Sequence, residues 1–312
     1  MDQPLRMEHR PDVTFIICTY NRAHYLDDTL QSLQKQNLAQ LPAEILVVDN
    51  NSTDATPQIT EQHQKRYPKD PNPIRYIKET NQGLSHARNR GIREANGASV
   101  VFLDDDIRAS ESLIPAWLSF FSTNPQAMAG GGKIHVQFDD PRPRWMSHFL
   151  LPLLGHHDLG DKTKTYPKNK YPFGGNMGFH KSIFDQLGLF HTDLGRTGKK
   201  LKASEEKELF QRFRNHDIDL HYLPDAMLYH RVNNDRLTEE YIRRQAVGLG
   251  QSIALQLHDN PDQKTTQLMQ ELGKWSATLL LFVGYLIAFQ PAKAMMLIKF
   301  RKWIAEGYVS SN

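Results

Sequence analysis

The chain has 312 residues, 39% hydrophobic and 23% charged, an ordinary soluble composition with room for one large domain or two small ones. Its formal net charge of +3 is too small to argue for nucleic acid, and its single cysteine, Cys18, excludes an internal disulfide framework and a cysteine-rich zinc site. The polar start, MDQPLRMEHRPD, lacks the apolar core of a secretory signal, so a reducing, cytoplasmic location is expected.

The first hundred residues alternate short apolar runs with helical patterns. VTFIICTY (13–20) is a β-branched strand run, and AHYLDDTLQSLQKQ has helical spacing. EILVVDN (44–50) and PIRYIKE (73–79) are the next strands, each followed by a helical stretch, the later one reaching Gly97; SVVFLDDD (99–106) closes the series. Strands alternating with helices predict a doubly wound, Rossmann-like α/β sheet, and runs apolar on both faces predict helices on both sides. Cys18 lies inside such a run and is expected to be a buried, inert thiol.

From 107 to 236 the pattern is less regular, with glycine-rich stretches that predict antiparallel strands, and a polar loop, GDKTKTYPKNKYP, that is a candidate lid. From 237 to 312 it is helical. Trp275 to Phe289 is almost wholly apolar, yet shorter than the ~20 residues that cross a bilayer. Beyond Pro291, apolar residues are interleaved with Lys293, Lys299, Arg301 and Lys302, which suits a helix lying on an anionic membrane surface. The alternative is packing on the catalytic part or on a second copy in a homo-oligomer. The expected division is a domain at 1–236, with a nucleotide-binding half at 12–106 and an acceptor half at 107–236, followed by a helical region at 237–312.

In a doubly wound sheet, ligands bind beyond the carboxyl ends of the strands. Here those ends read TYNR (19–22), DNNSTD (49–54), ETNQGLSHARN (79–89) and DDD (104–106). Turns favour such residues anyway, but four polar ends at one edge of one sheet would build a nucleotide pocket. Neither G-x-G-x-x-G nor G-x-x-x-x-G-K-S/T follows the first strand, so a diphosphate would need a cation. Asp104, Asp105 and Asp106 offer hard oxygens suited to Mg²⁺ or Mn²⁺.

TFIICTYNR, LVVDNNSTD, NQGLSHARNRG, FLDDD, FGGNMGFHK and SEEKEL occur in an order that resembles the family 2 glycosyltransferases of the GT-A fold, over about residues 12–235. The resemblance implies a nucleoside-diphosphate-sugar donor (a UDP-sugar first), a divalent ion at a D-x-D motif, and inverting transfer. It implies that Thr19, Tyr20, Asn21 and Arg22 hold the nucleoside, that Asp49 bonds the base or ribose, and that Arg88 lies near nucleobase and phosphates, with Asn81 and Gly83 in the same loop. Asp104 matches the ribose and metal end of D-x-D, Asp106 the direct ligand and Asp105 the middle position, while His230 matches a late histidine that reaches the metal or diphosphate. The acidic pair Glu205-Glu206 stands where the family usually has Glu-Asp; Glu206 is the first candidate base and Glu205 the second. Ser204 is a good N-cap for the helix they open, so dipole stabilisation is the competing explanation of those acids.

On the acceptor side, Gly174 and Gly175 would let backbone approach a sugar, Asn176 would bond its hydroxyls, and Trp145 would stack on its ring. Two rivals remain at this stage. A sugar nucleotidyltransferase would need a glycine-rich loop after the first strand, which ICTYNRAHYL lacks, and a non-catalytic sugar-nucleotide-binding protein would show no turnover. No Q-x-x-R-W motif is present, so single-residue addition to a glycan or lipid-linked glycan of a surface polysaccharide is expected over processive synthesis.

Overall fold

A computed structural model of the chain describes residues 11–67, 73–194, 205–259 and 264–310. In chain order the first half builds β1 (Val13–Thr19), α1 (Ala23–Gln34), β2 (Ala43–Asp49), α2 (Thr56–Gln64), β3 (Ile74–Lys78), α3 (Leu84–Glu94) and β4 (Ser99–Leu103). These four strands are parallel, with Thr19 opposite Asp49 and Ile17 opposite Leu103. Side chains alternate between faces along a strand. Val13, Phe15 and Ile17 therefore join Leu26, Leu30 and Leu33 of α1 in one apolar layer, whereas Ile16, Val100 and Phe102 meet Ala87 and Ile92 of α3 in the other. That two-sided burial is why the strands read as unbroken apolar runs.

The chain continues through β5 (Ile107–Ala109), α4 (Leu113–Thr123), β6 (Ala129–Phe138), β7 (Lys164–Thr165), β8 (Asn176–His180), α5 (Ile183–Leu187), α6 (Glu205–Asn215) and β9 (Leu220–Val232). The sheet runs β3-β2-β1-β4-β8-β6-β9-β5, and β7 pairs with β9. The later strands are antiparallel, as the glycine-rich middle predicts. The candidate lid is held at several points: Lys164 and Thr165 pair with Tyr222 and His221, Lys133 reaches Asp161, and Tyr166 is buried in the core. Three helices follow: α7 (Glu239–Asp259), α8 (Lys264–Ile287) and α9 (Pro291–Val309).

The compact units divide at other points than the sequence suggests. One unit holds the described residues up to His135 together with His157–His230; the other holds Val136–His156 with the chain from Arg231 onward. A boundary at 236/237 therefore misses the segment 136–156, whose Met146, Leu150, Leu151 and Leu154 form one apolar core with Leu237, Ile242, Met296 and Leu297. Within that second unit α7 and α8 pack along α9. No helix among the described residues is long and apolar enough to cross a membrane.

Candidate functional site

The polar strand ends meet as the sheet topology requires. Thr19 ends β1 and donates its hydroxyl to Asp105 Oδ2 at 2.7 Å, joining the ends of β1 and β4. Arg22, just beyond β1, sends one guanidinium nitrogen to Asp105 Oδ1 at 2.9 Å and another to Asp106 Oδ2 at 2.6 Å. The three adjacent acids are thereby sorted. Asp105 is turned to Thr19 and Arg22, and Asp106 is shared between Arg22 and His230, whose Nε2 stands 3.3 Å from Asp106 Oδ1. Asp104 is half-buried and makes no hydrogen bond or ion pair among the described residues.

Asp104, Asp106 and His230 each place one ligand atom within 4.8 Å of the others. Two carboxylate oxygens and an imidazole nitrogen suit a divalent ion such as Mn²⁺. Burial, and next the neighbouring Asp106, push the Asp104 carboxyl above its ordinary range, a cost that a bound cation would relieve. Burial also pushes Asp105 up to about 7, with Arg22 opposing. Arg22 was expected at the nucleoside; its observed partners are the acids, because a cation beside buried carboxylates offsets their repulsion.

A second set of charges lies behind a glycine turn. Arg88, on α3, is 3% exposed and bonds Glu205 Oε1 at 3.2 Å and Glu206 Oε1 at 2.7 Å. Arg88 is expected beside nucleobase and phosphates; here its guanidinium is enclosed by the acidic pair that opens α6. Glu205 is 2% exposed, while Glu206 keeps 26% of its side chain open to solvent. Glu206 Oε2 accepts the Gly174 amide at 3.0 Å. Ser204, the expected N-cap, lies outside the described residues.

Gly174 and Gly175 explain themselves by what lies against them. A Cβ on Gly174 would land on Glu206 Oε1, and one on Gly175 on Asp104 Oδ2. Consecutive residues of one turn therefore carry Glu206 on one side and Asp104 on the other. The glycines make room for protein carboxylates, a use the sequence reading assigned to an acceptor sugar. Asn176 likewise turns inward. It is fully buried, donates to Lys133 O and Ala226 O, and accepts from Trp117 Nε1. Both of its N–H donors are spent, and its burial keeps the remaining lone pair of Oδ1 from solvent.

The remaining predicted residues divide by exposure. Tyr20 is 42% exposed and Asn21 and Asn81 are exposed, so they face solvent at the sheet edge. Asn21 adopts φ 53°, a left-handed conformation asparagine tolerates, and its Oδ1 accepts the Thr53 amide, tying the β1 and β2 loops together. Gly83 gives its amide to Asn50 Oδ1, and Asn50 Nδ2 reaches Asn81 O. Asp49 is fully buried, and its oxygens accept Ser52 N and Tyr76 OH. Asn50, Ser52 and Tyr76 were missed as organisers of this edge, although DNNSTD had flagged the segment. Cys18 is half-buried where a buried thiol was expected, and desolvation pushes its thiol up to about 12. Trp145 belongs to the second unit, where its half-buried ring packs against the apolar core.

With that geometry in view, comparisons with known proteins are informative. The family model for glycosyl transferase family 2 matches residues 14–188. A glucosyl-dolichyl phosphate glucuronosyltransferase of Haloferax volcanii is 25% identical over 197 residues, 62% of this chain and 60% of that protein. A GalNAc(5)-diNAcBac-PP-undecaprenol beta-1,3-glucosyltransferase of Campylobacter jejuni is 37% identical over 98 residues, 31% of this chain and 30% of that one. The chain thus spans less than two thirds of the length of these curated relatives. Among solved structures, the mannosyltransferase PcManGT from Pyrobaculum calidifontis, in complex with GDP-Man and Mn²⁺, superposes with a TM-score of 0.62 at 20% identity, over 97% of this chain and 87% of that one. The architecture is GT-A, as the sequence predicts.

Proposed function

Because the chain belongs to glycosyl transferase family 2, we propose that it transfers a sugar from a nucleoside diphosphate to a hydroxyl of a glycan or lipid-linked glycan, with inversion, in the assembly of a surface polysaccharide. The observation that carries this reading is the seating of Asp104 and Glu206 against consecutive glycines of one turn. A charge-neutralising centre and a proton acceptor are then close enough to serve one reacting carbon.

Asp104, Asp106 and His230 would hold the Mn²⁺ or Mg²⁺ ion. When bound, such an ion neutralises charge developing on a departing diphosphate. Glu206, the more exposed acid, takes the acceptor proton while the acceptor oxygen bonds to the anomeric carbon and the bond to the diphosphate breaks. Arg88 holds one oxygen of that carboxylate, and the Gly174 amide fixes the other. Glu205 is a positioning residue that holds Arg88. Tyr20, Asn21 and Asn81 offer the exposed polar edge to the nucleoside.

Two relatives are named for lipid-linked substrates, a glucosyl-dolichyl phosphate and a PP-undecaprenol glycan, which supports an acceptor of that class. Incubation with a panel of UDP- and GDP-sugars, Mn²⁺ and an undecaprenyl-linked glycan tests the reading. Nucleoside diphosphate should be released over many turnovers. Donor uptake without turnover across the panel would identify a sugar-nucleotide-binding protein instead.

A further inference from the structure

The second unit carries a surface that the sugar-transfer reading does not use. The C-terminal half of α8 is apolar on its outward side. Leu279, Leu280, Val283 and Ile287 are 53%, 76%, 52% and 73% exposed, and Phe289, in the turn leading into α9, is 92% exposed. Their spacing of three and four residues makes one continuous stripe along the helix. No charged residue occurs between Lys274 and Lys293.

Cations outnumber anions in the sequence that borders this stripe. Between Glu271 and Glu306 the sequence has Lys274, Lys293, Lys299, Arg301 and Lys302 and no acid. At the α8–α9 turn a concavity of about 590 Å³ is lined by Arg142, Arg144, Lys293 and Phe289. None of Arg142, Arg144, Lys293 and Lys302 takes part in an ion pair among the described residues, whereas Lys274, Lys299 and Arg301 have acidic partners in Glu271 and Glu239. An apolar stripe, a protruding aromatic and unpaired cations at its tip complement one surface above others, an anionic bilayer. A protein partner would have to supply both an apolar groove and an acidic rim.

We propose that the α8–α9 hairpin docks on the surface of an anionic membrane, with Phe289 and the outer stripe of α8 entering the headgroup boundary and Arg142, Arg144 and Lys293 gripping lipid phosphates. The helix lies in the interface, because its apolar stretch is too short and its start too polar to span. The proposal stands apart from the sugar-transfer reading, since it uses no residue of that site.

Co-sedimentation of the full chain with vesicles of pure phosphatidylcholine, and with vesicles also containing phosphatidylglycerol, tests it. The chain should pellet strongly only with the anionic vesicles, and added salt should release it. Each cation near such a surface contributes about a fivefold gain in partition. Arg142→Gln/Arg144→Gln/Lys293→Gln should therefore weaken binding about a hundredfold, and Phe289→Asp should abolish it, with circular dichroism unchanged because all four positions lie at the surface. Equal sedimentation with both vesicle types, or none with either, would overturn the proposal. A concentration-dependent dimer dispersed by Phe289→Asp would overturn it in favour of a second copy as the occupant.

Discussion

Arg88 and Glu205 expose 3% and 2% of their side chains, whereas Phe289 and Leu280 expose 92% and 76% of their surfaces. The first pair belongs to the sheet unit, where charges are withdrawn from water and held by one another, by backbone amides and by hydroxyls. The second pair belongs to the helical unit, whose ion pairs, such as Arg243–Glu306 and Lys299–Glu239, sit in solvent while aliphatic groups face outward. Buried charge needs a partner at a fixed place, so it positions chemistry. Exposed apolar surface such as this has no partner among the described residues, and large patches of it commonly mark interaction sites.

This contrast can be broken by substitution. The largest effect is expected at Glu206. Glu206→Gln should lower turnover by about 10²–10⁴-fold and leave donor affinity, read by calorimetry, unchanged; parallel loss of both would move the base elsewhere. Arg88→Met strips the cation from Glu205 and should lower the unfolding free energy by about 3–5 kcal/mol in a denaturant melt. A Tm equal to that of the parent chain would show that the acids do not depend on it. Gly174→Ala puts a methyl where Glu206 Oε1 lies, at a cost of about 1–3 kcal/mol in stability. Its turnover should fall further than that cost explains, with donor binding retained.

Acid provides a gentler probe of the same unit. Burial opposes ionisation of Asp158, but His135, the Gly160 amide and Lys133 outweigh it and hold the carboxyl at about 2, below its ordinary 3.8. Its contribution to stability is present above 3.8 and is lost as pH falls toward 2. Asp158→Asn should flatten that limb of the stability–pH curve; an unchanged limb would deny the pairing any role. The smallest effect is expected in the helical unit, where Arg243→Ala, breaking a half-exposed pair, should shift stability by no more than about 1 kcal/mol.

The fold was legible where one local rule governs many residues. Runs such as TFIIC and ILVV, apolar on both faces, announce strands covered on both sides, and the loops that follow announce a ligand edge. Segment 136–156 was not legible in this way. It joins the C-terminal helices through Met146 and Leu150, a pairing across about a hundred residues that no local pattern encodes. At the site, the acids were legible because three in a row demand compensation. Their counter-ion was not: Arg22 lies 84 residues from Asp106, and TYNR reads equally as a nucleoside loop. Asn176 misled because asparagine beside glycines resembles a ligand contact, while the Trp117 ring that takes its oxygen comes from a distant helix. The partners of Asp49, Ser52 and Tyr76, were not legible because they are ordinary turn and strand residues.

The turn through Gly174 and Gly175 runs straight into β8, which is hydrogen-bonded between β4 and β6 in the interior of the sheet. Asp104 and Glu206 come to this turn from the end of β4 and from α6, so a methyl on either glycine would press on a carboxylate. In the sugar-transfer reading proposed above, acceptor preference would then diversify in the outer segments between β6 and β8, while this interior corner stays bare of side chains.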